Sequence, residues 1–165
     1  MKLAEALARR ADLKTRITEL RERLKQSGQV QEGEKPPEDP QVLMAQLVEV
    51  LKERDVLVAR IAVTNATATI SGKPGADTLA LVIAMRDSGK EYHRALAELA
   101  SEAAAKPNRY SVAEIKLVST VDVKDIRSLM DSVAGRTRLL DLALQKRNWE
   151  VDLLDGVGSS AGGVE

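Results

Sequence analysis

Arg86 and Asp87, with Glu114 and Lys116 further along, are the residues of this chain best suited to act on a ligand. They are two cations and two carboxylates, and they make an enzyme or ligand site only if folding brings all four together. A second polar group, Asp141, Gln145, Asn148 and Trp149, falls at helical spacing near the C-terminus, with Gln145 one turn and Asp141 two turns before Trp149. Trp149 is the largest hydrophobe present, and the plainer expectation is that it anchors a core or an interface.

Other chemistries fail on spacing. A di-metal helical bundle needs Glu-x-x-His on two helices and inward Glu on the others. Here the one histidine, His93, follows Glu91 by two residues, which puts them on different faces. Gly72-Lys73 and Gly89-Lys90 lack the earlier glycine and the following Ser or Thr of a phosphate loop. Gly72 reads as part of a turn, and Gly89, inside a helix, as a place where another helix approaches. With 0 cysteines, thiol catalysis, disulfides and thiolate metal sites are excluded together. No nucleophile elbow is present. The sequence assigns no catalytic, cofactor-binding or metal-ligating residue, and no cofactor.

The elements that must position these groups are long helices. Leu3, Ala6, Arg10, Leu13, Ile17, Leu20 and Leu24 alternate steps of three and four, as do Leu43, Leu47, Val50, Arg54, Leu57 and Ile61. Such spacing is that of a narrow stripe buried against another helix. The last helix repeats it through Ile126, Met130, Val133, Thr137, Leu140, Leu144, Arg147, Val151 and Leu154. Arg10, Arg54 and Arg147 interrupt these seams. Either they snorkel at the stripe's margin, or they pair with carboxylates across helices or subunits and select partner and register.

Caps and breakers give the boundaries: helices over about 2–26, 40–63, 77–106 and 122–154. Asp39 with Pro40 and Asp122 with Asp125 open the second and fourth. Asp77 or Thr78 opens the third. The β-branched run 64–71 and the alternating run 112–121 predict two short strands paired as a ribbon. The expected fold is therefore mainly α, an elongated four-helix bundle with coiled-coil-like helices and a small two-stranded β ribbon. It occupies one domain, 1–155, followed by a flexible Gly/Ser tail over 156–165.

Composition narrows the partners. Lys plus Arg and Asp plus Glu are 25 each, so no net field favours nucleic acid or an anionic membrane. There is no Phe, and the aromatics are Trp149, Tyr92 and Tyr110. Base-stacking platforms are therefore unsupported. No stretch approaches 18 apolar residues, and Met1 to Leu20 alternates charge with Leu, unlike a secretory leader. The expected compartment is the cytoplasm.

The order of segments resembles a small bacterial family labelled septicolysin. The resemblance rests on Val30 to Pro40, Thr64-Asn65, Arg86-Asp87, Arg109-Tyr110 and Glu114 to Lys116. Thr120 to Val123, Leu140-Asp141, Gln145 and Asn148-Trp149 complete it, over roughly residues 1–154. What the resemblance implies is a helical protein, little characterised, whose family label suggests a membrane-active cytolysin. The residues themselves point first to a non-catalytic, self-associating helical protein, a homo-oligomer with assembly or interaction as its role, with an unidentified protein partner as a further possibility. A cytolysin and an enzyme or ligand site at Arg86, Asp87, Glu114 and Lys116 are the alternatives.

Overall fold

The structure is a computed structural model that describes residues 1–104 and 118–155. It holds four helices: α1 (Leu3–Gln26), α2 (Pro40–Thr67), α3 (Leu79–Ala104) and α4 (Val123–Glu150). At 1.5 Å per residue each is about 36–42 Å long. Three of the four starts have a local cause. The Glu5 carboxylate accepts from the Lys2 backbone N–H at 2.7 Å. Asp39 accepts from Gln41 N–H at 2.8 Å with Pro40 at the first helical position, and Asp122 accepts from Lys124 N–H at 2.7 Å. These side chains satisfy amide groups that a helix start otherwise leaves unpaired.

The helices form two antiparallel hairpins, α1 with α2 and α3 with α4, and α1 also meets α4 while α2 meets α3. Their shared core lies at one end, the base. Leu3, Ala6 and Leu13 of α1 meet Leu57 and Ile61 of α2, Leu79 and Val82 of α3, and Leu144 and Leu153 at the end of α4. Away from the base, each hairpin buries its own seam: Leu20 and Leu43 in one, Leu96 and Ala100 in the other.

The base is also knitted by polar contacts. The chain ends run antiparallel, with Leu3 N–H donating to Val151 O and Leu153 N–H to Met1 O, both at 2.9 Å. Thr64, buried in α2, accepts from Leu154 N–H at 3.0 Å and donates to Arg60 O at 2.8 Å.

The expected β ribbon is absent among the described residues. Residues 64–67 complete α2, and only an isolated bridge, Thr69 with Thr78, closes the α2–α3 turn. β-Branching predicted strand here, but Thr64 and Thr67 each return their hydroxyl to the carbonyl four residues back, which accommodates threonine in a helix. Of the second expected strand, 112–117 lies outside the described residues and 118–121 is not strand. The tail 156–165 also lies outside them. Among the described residues no helix is long and apolar enough to cross a membrane.

Candidate functional site

The most concentrated polar cluster sits between α3 and α4. The α3 seam runs Leu79, Val82, Arg86, Gly89, His93, Leu96 and Ala100, so its middle third carries two basic-type side chains and a glycine where hydrophobes are expected. A Cβ on Gly89 would lie 2.6 Å from Thr137 Oγ1, so the glycine marks where the two helices come closest. On either side of that crossing the polar groups reach across.

Arg86, with its side chain 24% exposed, directs Nη1 to Asp141 Oδ1 at 3.4 Å. Its Nε and Nη2 donate to Asp87 Oδ1 at 2.9 and 2.7 Å. Lys90 Nζ stands 3.5 Å from Asp141 Oδ2. Lys90, His93, Ala134, Thr137, Arg138 and Asp141 line an open groove of about 270 Å³. Within that lining Lys90 and Arg138 stand against a single carboxylate, Asp141. Thr137 spends its hydroxyl proton on Val133 O at 2.9 Å, so it is not poised as a nucleophile. Among the described residues no group of His, Asp and Glu is placed to hold a metal ion.

Of the expected site residues, the structure joins Arg86, Asp87 and Asp141. Glu114 and Lys116 lie outside the described residues. Gln145 is exposed, Asn148 half-buried, and Trp149 is 65% exposed, so the tryptophan is not a core anchor within this chain. Arg10 is exposed, and Arg54 pairs with its neighbour Asp55 at 2.7 Å. Arg147 alone of the three seam arginines reaches across elements, donating Nε to Thr69 O at 2.9 Å and clamping the α2–α3 turn. Reasoning from sequence missed Lys90, His93, Thr137 and Arg138. The signal was available: the α3 seam is interrupted at three successive positions, Arg86, Gly89 and His93, in the same way as the seams of the other helices.

Comparison with known proteins carries no assigned activity. Residues 10–153 match a family of unknown function, DUF6847. A crystal structure of a functionally unknown conserved protein from Corynebacterium diphtheriae is similar at 36% identity, with a TM-score of 0.84, over 93% of this chain and 99% of that one. No curated protein matches. These findings overturn the septicolysin resemblance. Two of the segments that carried it, at Asp39-Pro40 and Asp122, are helix caps, chemistry that recurs wherever such helices begin. With its match spanning nearly all of the described fold, the chain belongs to DUF6847, a family of unknown function.

Proposed function

We propose that this protein is a non-catalytic, cytoplasmic assembly module whose coiled-coil-like hairpins act by self-association. The observation that carries the reading is unspent surface. The chain exposes 12742 Å², whereas a compact monomer of 17.9 kDa exposes about 8,000 Å². Full exposure of the 23 residues outside the description would add about 3,000 Å² and leave a surplus. Exposed Val, Leu and Met side chains along α2, α3 and α4 make much of that surplus apolar.

Native mass spectrometry of the purified full chain tests this reading. A discrete multimer of unmodified mass is expected; a monomer across the micromolar range would end the proposal.

A second reading, a small-anion site, is favoured by Arg86, Lys90 and Arg138 around the α3/α4 groove. Titration with inorganic phosphate should then move the amide resonances of Lys90 and Arg138 saturably, and should not do so in Arg86→Ala.

A further inference from the structure

We infer that the α3/α4 groove takes up a free, doubly charged tetrahedral oxyanion together with a proton on His93. This rests on the small-anion reading, and adds to it the charge of the ion and the group that regulates its binding.

Donors and acceptors decide the kind of ligand. Asp141, the one carboxylate of the lining, faces a cation with each of its oxygens: Arg86 Nη1 stands 3.4 Å from Oδ1 and Lys90 Nζ 3.5 Å from Oδ2. Thr137 gives its hydroxyl proton to Val133 O at 2.9 Å and keeps its oxygen against Gly89. The acceptors of the groove are thus engaged. Its donors are not. Among the described residues Arg138 and His93 have no side-chain hydrogen bond or ion pair, and Lys90 makes only the 3.5 Å contact with Asp141, too long for a good hydrogen bond. A groove that offers N–H groups and no open acceptor selects a ligand whose surface is acceptor oxygen.

Charge decides its valence. Lys90 and Arg138 against Asp141 leave the lining with one net positive charge while His93 is neutral. Arg86 and Asp87, paired with each other beside it, cancel. Protonation of His93 raises the lining to two, the complement of a dianion, and turns both ring nitrogens into donors where the neutral ring has one. His93 is the single histidine of the chain, and imidazole is the side chain whose charge changes between about pH 5 and 8. The charged groups that share its surroundings are Arg86 and Lys90 on its own helix and Arg138 and Asp141 on α4; α1 and α2 contribute none to the lining. A bound dianion favours the protonated ring and the protonated ring favours the dianion, so each tightens the other by the same factor.

The groove is placed for an ion in solution. Lys90, Ala134, Arg138 and Asp141 each follow a seam residue by one. Ile83, one residue after Val82, marks the same side of the hairpin and packs on the base core, while Leu81, one residue before Val82, is exposed. The mouth therefore looks toward the space between the two hairpins, which a free ion enters and a flat bilayer does not.

Sulfate is the probe, because it keeps both charges across the range, about pH 5 to 8, in which imidazole titrates. Amide resonances of Lys90 and Arg138 in the full chain are followed against sodium sulfate, with sodium chloride holding the ionic strength constant. We expect saturable movement, with affinity about 10-fold higher at about pH 5.5 than at about pH 8, and a His93→Gln chain that binds with the weaker affinity at both. The ring Cε1–H resonance of His93 reports its protonation without any substitution, and sulfate should move its titration midpoint to higher pH. No saturable movement at either pH overturns the small-anion reading and this inference with it. Equal affinity at both, or an unchanged pH dependence in His93→Gln, overturns the coupling to His93 and leaves that reading standing. Chains that sediment with phosphatidic acid vesicles at the lower pH, without answering to free sulfate, assign the oxyanion to a lipid headgroup and overturn the free ligand.

Discussion

Arg147 shows what a charge in an apolar seam does when it finds a partner. Its guanidinium reaches the Thr69 carbonyl of the α2–α3 turn and Glu150 Oε2 at 3.1 Å. A Cβ on Gly72, in its left-handed φ of 71°, would stand 3.1 Å from the same guanidinium. Arg147→Leu should therefore cost about 2 kcal/mol, by stranding that carbonyl, with a lower urea midpoint as the readout. Arg54→Leu, which breaks only a contact with the adjacent Asp55, should stay within about 0.5 kcal/mol of wild type. At the other end of the hairpin, Arg23 grips Glu38 through two hydrogen bonds and holds its carboxyl below the ordinary value of 4.5. A carboxylate with a depressed folded-state pKa contributes its stability above the unfolded pKa and loses it as pH falls through the folded one. Acid should therefore release the 27–39 connection from α1 below about pH 4.5, and Glu38→Gln should show the released state at neutral pH. Backbone amide exchange of residues 30–38 reads both.

At the scale of elements, glycine discriminates between helix contacts. Gly89→Ala gains helix propensity of about 1 kcal/mol but drives a methyl group to 2.6 Å from Thr137 Oγ1. Overpacking wins in a seam this close, so a net loss of about 1–2 kcal/mol is expected. Thr137→Ala in the same chain should recover most of it, a coupling that a double-mutant cycle measures directly. Much of the helical layout was legible in advance, because 3–4 spacing and capping chemistry are local. The strand expected over 64–71 failed because β-branching is a weak signal that a helix can override by returning threonine hydroxyls to its own carbonyls. Gly89, read as a point of helix approach, meets Thr137 as that reading required. The α3/α4 groove was only half legible, since Arg86 and Asp87 are neighbours in sequence while Asp141 lies 55 residues away.

For the whole molecule, shape decides the energetics. Two long hairpins joined at one end bury a single core at the base and narrow seams beyond it, so part of the apolar surface must be covered intermolecularly or left in water. If copies associate as proposed, thermal stability must depend on concentration: raising the chain concentration 100-fold should lift Tm by several degrees. A concentration-independent Tm for the wild type would contradict association.

Residue order alone determined that the chain is helical, where its helices begin, and that thiol chemistry is out of reach. These follow from local periodicity, capping and composition, which need no knowledge of distant neighbours. Only the tertiary structure decided which seam arginine is paired, which helix faces remain open, and that the four helices share a core at one end. Each of these depends on contacts between residues 50 or more positions apart, such as Arg86 with Asp141 and Arg147 with Thr69. Spacing along one helix says which residues share a face, but only packing says what that face meets.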